Sequence, residues 1–279
     1  MNVLDFILNL AALLLWLNWR ASSMPEPAAL PGKSLAATLR RAGGPRRADW
    51  GSLLLLAAIL LVRALFYWQI GRALNWTAPL DAQIIKVSFS SHFADRMLLY
   101  SLLSFGRMLL LAYTWLLLLS ILQHGEPMGH AQRMVAWQLG RVHRWPPVVK
   151  ALLPFALGTL AWAGLNAWLG GSLYLPEPES VSRLWAQSAA VGVVVYLAWL
   201  PPLIALLALH LVESYVYLGR SAFWDFTASC ARGLLRPLRK IPLRVGRVDL
   251  MPLLLLVALI GVFIYGGSGI AALLRRLVY

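Results

Sequence analysis

Five histidines, His92, His124, His130, His143 and His210, have the widest chemical reach in this chain. A haem held between helices needs two axial ligands at similar depth on facing helices. Only His210 falls in an apolar helical stretch, and it lies near one end, which argues against an intrinsic b-type cytochrome. His124, Glu126 and His130 share a short loop and resemble a partial zinc set. No cysteine stands near them, and Pro127 and Gly129 intervene, so a solvated loop is the simpler reading. The single cysteine, Cys230, can form no internal disulfide; it reads as a small apolar residue on an amphipathic helix. No G-x-S-x-G, H-E-x-x-H or Walker sequence occurs. The residues predict no catalytic group, no cofactor and no metal, and the expectation is a protein that is not an enzyme.

Two cations stand out by position. Arg63 and Arg107 each fall near the middle of an apolar run, where an arginine costs about 2.5–3.5 kcal/mol on insertion scales. Around Arg107, Tyr100, Ser104 and Thr114 follow at helical spacing and predict a polar stripe on one side. Asn9, Thr159 and Asn166 are uncharged candidates for partners. Asp5 is the nearest carboxylate, set about 9 Å higher at 1.5 Å per residue. Interhelical hydrogen bonding or snorkelling is one reading of these arginines; a site for an anionic lipid or anionic partner group is the other.

The elements that must hold these residues are set by composition. The chain is 60% hydrophobic and 13% charged, with 13 Trp, against roughly 25% charged in soluble domains. Apolar stretches run over residues 3–19, 52–70, 97–122, 148–169, 188–212 and 250–265. Each approaches the ~20 residues that cross a ~30 Å hydrocarbon core as a helix, the conformation that satisfies its own backbone in lipid. Segment 1–5 has no Lys or Arg and carries Asp5, so the first stretch is expected to be an uncleaved helix rather than a signal peptide.

The net charge of +14 is asymmetric. Most Lys and Arg lie in the odd-numbered connections: Arg20 to Arg47 in the first, Arg133, Arg141, Arg144 and Lys150 in the third, Arg220 to Arg247 in the fifth. By the positive-inside rule these face the cytoplasm and both termini face out. The charge thus sets topology, and no nucleic-acid partner is expected.

The same hairpin plan recurs. Aligning Asp49 with Asp249 pairs Arg47 with Arg247 and Leu53 with Leu253, with a basic stretch broken by Gly and Pro before each Asp. A more degenerate copy covers 137–154. The expected organisation is three tandem hairpins, 1–75, 97–171 and 188–279, of parallel topology, unlike inverted repeats. Within 221–235, Phe223, Phe226 or Thr227, Cys230 and Leu234 form a helical stripe, predicting an interfacial helix with its apolar face in the acyl boundary. Val135, Leu139 and Val142 give a weaker version. After Gly266, Gly267 and Gly269, the face formed by Ile270, Leu273, Leu274, Leu277 and Val278 predicts either an amphipathic tail or the fraying end of the last helix. Asp249 is expected to cap the last helix, with Pro252 in its first turn and Arg244 or Arg247 as ion partners.

Residues 235–242, LRPLRKIP, followed by 246–252, GRVDLMP, resemble the signature of the YggT family, also called YlmG, approximately P-L-R-R-x-I-P and G-x-I-D-L-S-P. Lys240, Val248 and Met251 are mild departures. The match is specific over about 30 residues and supportive over about 90. The resemblance implies a small multi-spanning membrane protein, commonly of two hairpins, so a third is a departure. Bacterial relatives are linked to osmotic or potassium tolerance and to division-gene neighbourhoods. Plastid relatives are linked to haem attachment on cytochrome b6 and to nucleoid distribution. It carries over no catalytic residue and offers Arg236, Pro237, Arg239, Lys240, Pro242, Gly246, Asp249 and Pro252 as contacts for a partner or lipid. The expectation is an all-α polytopic protein of the bacterial inner membrane, a scaffold or assembly factor engaging anionic phospholipid headgroups and a protein partner. A transport or ion-homeostasis protein, and an accessory subunit of a larger membrane complex, are the alternatives.

Overall fold

In lipid a backbone amide has no water to bond, so long apolar runs fold as uninterrupted helices wherever the sequence permits. The computed structural model describes residues 2–22, 50–74, 76–82, 85–125, 130–169, 180–216, 221–240, 244–245 and 248–278. Six helical stretches are long and apolar enough to cross a membrane: α1 (Asn2–Ser22), α2 (Trp50–Leu74), α3 (Ala94–Leu122), α5 (Pro147–Leu169), the pair α6 (Val181–Val194) and α7 (Leu200–Tyr215), and α9 (Met251–Val278). Between α3 and α5 lies α4 (His130–Leu139) with a 3-10 turn at Gly140–Arg144; between α7 and α9 lies α8 (Ala222–Leu235) with a 3-10 turn at Arg236–Lys240. The chain is an all-α multi-pass membrane protein. Asp49, its basic neighbours, Glu126, Pro242, Gly246 and Arg247 lie outside the described residues.

Two compact units divide the chain, Met1–Ala78 with Phe89–Leu109, and Pro79–Ser88 with Leu110–Tyr279. In the first, α1 packs along α2, and Ala12, Leu56, Leu60 and Phe105 form its apolar centre. In the second, α5 packs on α6, and α9 packs on α6 and α7. The α5–α6 crossing is close because Gly192 brings no side chain to it: a Cβ there meets the Phe155 carbonyl at 2.8 Å. Small residues let helices approach where lipid removes the hydrophobic incentive.

Several expectations need correction. The stretch 188–212 is not one α-helix: a 3-10 segment, Val195–Trp199, separates α6 from α7. Pro201 and Pro202 are the cause, since neither supplies an N–H to the turn before it. Pro202 would have bonded the Ala198 carbonyl; the Trp115 indole donates to that oxygen instead, at 2.6 Å. Trp199 returns the favour, its indole donating to the Thr114 carbonyl at 3.0 Å. Conversely, Gly266, Gly267 and Gly269 do not break the last helix, which runs unbroken to Val278. Glycine costs about 1 kcal/mol in a helix, less than an unmade backbone bond in lipid. Asp249 does not sit at the helix N-cap. Leu250 does, accepting from Leu254 N–H at 3.0 Å. Asp249 belongs to a two-residue strand, β4 (Val248–Asp249), paired antiparallel with β3 (Arg244–Val245), which sets it opposite Arg244. A further strand pair that the apolar pattern did not predict, β1 (Thr77–Ala82) with β2 (Ile85–Ser90), joins α2 to α3.

The two short amphipathic helices are the largest correction. Their apolar faces lie on protein rather than in the acyl boundary. On α4, Val135 and Leu139 pack with Leu117, and Val142 of the following turn joins them. On α8, Cys230 is buried with Leu118, Leu122, Leu203 and Leu206, and Phe226 and Leu234 pack against that cluster; only Phe223 of the predicted stripe is exposed. Helix α8 starts at Ser221, whose hydroxyl accepts from Trp224 N–H at 3.5 Å. Its Gly233 lies so close to the Leu122 carbonyl that a Cβ would collide with it.

Burial pushes the Cys230 thiol up to about 11, leaving roughly a hundredfold less thiolate at neutral pH than an ordinary cysteine has. Maleimide labelling of the folded protein at pH 7.4 is therefore expected to be slow, and to become complete on denaturation. Gly233→Val, by forcing α8 off α3, is expected to raise the native labelling rate roughly tenfold or more; rapid labelling of the unmodified chain would return α8 to the lipid surface.

Candidate functional site

Arginine in a helix centre must find acceptors on its neighbours, and Arg63 does. It is 2% exposed. Its Nε donates to Ser101 Oγ at 2.9 Å, Nη1 to Asn9 Oδ1 at 2.7 Å, and Nη2 to the Ser101 carbonyl. Asp5 Oδ1 lies 4.0 Å from Nη1. The carboxylate is completed by two phenols, Tyr67 donating to Oδ1 at 2.9 Å and Tyr100 to Oδ2 at 2.8 Å. Asn9 passes a bond on to Ser104, and Ser101 one to the Leu60 carbonyl. Three helices, α1, α2 and α3, are thereby tied by one charge-assisted network. Asp5 is not beyond reach, as counting rise per residue suggested. The count assumes helix ends lie level and ignores the length of the arginine stem. Of the proposed uncharged partners, Asn9 is used, whereas half-buried Thr159 and buried Asn166 lie in the second unit.

Arg107 behaves differently. Tyr100, Ser104 and Thr114 are buried, but Arg107 at the middle of the same stripe is exposed. The ends of the stripe are covered by different elements. The first unit satisfies Tyr100 and Ser104, and the 3-10 segment beside Trp199 covers Thr114.

The sequence motif is held partly by secondary structure. Arg236 and Pro237 are exposed, Arg239 and Lys240 share the 3-10 turn with them, and Pro252 is buried in the first turn of α9. Around α8 and α4, Arg133, Arg141, Arg144, Arg232 and Arg236 are all exposed. With the buried stripes of both helices packed on protein, their outer faces carry these arginines together with exposed Met134, Phe223 and Asp225.

A third site was missed by sequence reasoning. Lys150, counted there among the loop cations, is 1% exposed. Its Nζ donates to Ser120 Oγ at 2.9 Å, and Ser120 lies 3.0 Å from His143 Nδ1. Burial first, then Lys150 and His124, hold the His143 imidazole below its ordinary pKa and favour the neutral ring; its tautomer sets which of Ser120 Oγ and Nδ1 donates. These residues with Gln123, His124 and Gln132 line a cavity of about 180 Å³. The polar identity of Ser120 and Gln123 at the end of an apolar run was the available signal. Among the described residues, no three His, Cys, Asp or Glu side chains come together to hold a metal.

Removing one member of a buried pair strands the other, at about 3–5 kcal/mol, whereas removing both is far milder. Arg63→Met is therefore expected to lower the melting temperature in detergent by several degrees, and Asp5→Asn/Arg63→Met to recover part of that loss. Strictly additive losses would mean that the guanidinium and carboxylate are not coupled. No protein-family model, no curated protein and no solved structure matches this chain.

Proposed function

We propose that this chain is a non-enzymatic membrane scaffold or assembly factor of the YggT type, in the bacterial inner membrane, with its basic connections on the cytoplasmic side. The observation that carries this reading is the set of exposed arginines on α4, α8 and their 3-10 turns, backed by apolar faces already packed on protein. Met134, Trp145 and Phe223 are exposed on the same elements, so the attraction of this surface to a membrane or partner joins apolar contact to the charge of the arginines. Arginine forks match carboxylate and phosphate oxygens two at a time, and each adds roughly 1 kcal/mol near an anionic leaflet. An acidic protein surface docked against the leaflet would meet the same groups. The motif at 235–252, which resembles the family signature, lies beside this face and ends where β3 and β4 turn the chain into α9.

Arg63 argues against the transport alternative. Its donors are engaged by Asn9, Ser101 and Asp5 within three packed helices, an arrangement that ties helices together rather than lining a path.

Affinity capture of the full chain from membranes under mild detergent is expected to recover a stable protein partner. Neutralising Arg236, Arg239 and Lys240 together is expected to reduce that recovery at least tenfold, about 1.4 kcal/mol, without lowering the amount of folded chain. A chain that purifies alone, or capture indifferent to the triple substitution, would remove the basis of the scaffold reading.

A further inference from the structure

An ammonium group carries three N–H donors and no acceptor. Lys150 directs one at Ser120 Oγ, and the Ser120 hydroxyl in turn faces the neutral Nδ1 of His143. That chain of bonds contains no negative charge in either tautomer of the imidazole. Among the described residues the ion pairs are Arg63 with Asp5 and His210 with Glu213, and Lys150 is in neither. A buried cation with two undirected donors is unfavourable unless something supplies charge and acceptors.

The space beside it can hold that something. The cavity of about 180 Å³ is roughly ten times what one water needs. Among the described residues its wall is polar, Lys150, His143, His124, Gln123, Gln132 and Ser120 with the backbone at Gly125. Gln123, itself 2% exposed, leaves its Oε1 without a hydrogen-bond partner while its Nε2 sits 3.4 Å from Cys230 Sγ. Turning this amide over lets the Cys230 S–H donate to Oε1 and frees Nε2 as a further donor. The position along the helices also fits. Ser120 is in the last turn of α3 and Lys150 in the first turns of α5, where spans emerge from hydrocarbon and headgroup phosphates begin. Basic pockets between spans at this level are where anionic headgroups are held.

We propose that this cavity binds a phosphate-type oxyanion, with the Lys150 ammonium as counter-charge and Ser120, His143 and Gln123 arranging the donors around it. A lipid headgroup and free inorganic phosphate present the same oxygens, and experiment separates them. The cavity opens beside exposed Gly125, which the Arg236 guanidinium approaches, but the proposal rests on the buried Lys150 and not on the exposed arginines that carry the scaffold reading. Failure to capture a partner would therefore leave it untouched.

The test uses the purified full chain in an uncharged detergent, at ionic strength held constant with chloride. Inorganic phosphate is titrated in one arm and detergent-dispersed phosphatidylglycerol in the other, with diacylglycerol as the uncharged control. At saturation at least one of the two ligands is expected to raise the melting temperature by ~2–4 °C. A shift with phosphate alone identifies a soluble ion, a shift with phosphatidylglycerol alone identifies a lipid, and shifts with both identify a site that reads the phosphate itself. Lys150→Met is expected to fold with an unchanged or higher melting temperature, because it removes an uncompensated charge, and to weaken binding at least tenfold. Arg141→Gln/Arg144→Gln, which alters only exposed arginines, is expected to keep the phosphate response. Should Lys150→Met fail to fold, Gln123→Leu and His143→Leu carry the same test, each with a severalfold loss. No shift with either ligand, or undiminished affinity in the cavity variants, overturns the proposal.

Discussion

A backbone carbonyl orphaned inside an apolar span of this protein is met by a side chain from another helix, and that contact organises what surrounds it. Pro202 cannot bond the Ala198 carbonyl, so the oxygen would be orphaned inside an apolar span; the Trp115 indole reaches it. Trp199, displaced into the same 3-10 segment, donates back to Thr114. The helix break and the contact between α3 and the α6–α7 span are therefore one feature. Tyr196 donates to the Ala151 carbonyl at 2.5 Å and so ties its phenol to α5. An unsatisfied backbone group in lipid costs several kcal/mol, far more than the 0.5–1.5 kcal/mol net gain of a typical hydrogen bond. The Trp115 indole works by preventing that penalty.

The same accounting explains why α4 and α8 fold back onto the bundle. A helix at the membrane surface can place its apolar stripe in the acyl boundary or on protein, and apolar area alone barely distinguishes the two. What distinguishes them is shape and polar matching. Gly233 allows α8 to touch the Leu122 carbonyl, and Gln132 of α4 donates to the Gln123 carbonyl at 3.2 Å. Both contacts fall at the C-terminal end of α3, where helix carbonyls lack intrahelical donors. The short helices thus close an end that would otherwise need water.

This also marks what could be read from the sequence. Six spans followed from length and apolar content, because lipid leaves few alternatives. That Arg63 needed partners followed from its position, and Asn9 was identifiable as one. The direction in which the stripes of α4 and α8 face was not legible, since Val135 and Leu139, or Cys230 and Leu234, follow the same 3.6-residue period whatever they touch. Asp249 pointed correctly to a helix start but missed the N-cap by one residue, because the strand pair β3–β4 holds its backbone extended. The cavity at Ser120 was illegible for a different reason. Lys150 follows two prolines at the edge of an apolar run, so composition assigns it to the loop, yet α5 starts at Pro147 and draws it inside.

The two buried cations show how a structural charge differs from one that awaits a ligand. Arg63 presents five donors in a fixed plane, and the helices around it supply Ser101 twice, Asn9, and a carboxylate held by two phenols. Acceptors and negative charge both come from the protein, so nothing further is required of that site. Lys150 is as thoroughly enclosed, but among the described residues the groups that reach it are a serine hydroxyl and, through it, an imidazole. Neither carries charge, and the space beside the ammonium is open rather than filled with side chains. Folding alone gains nothing from burying a cation this way, since an apolar residue of similar volume would pack there without the desolvation penalty. The arrangement becomes favourable only when an anion with several acceptor oxygens enters, and that is the physical reason for reading one buried charge as architecture and the other as a binding site.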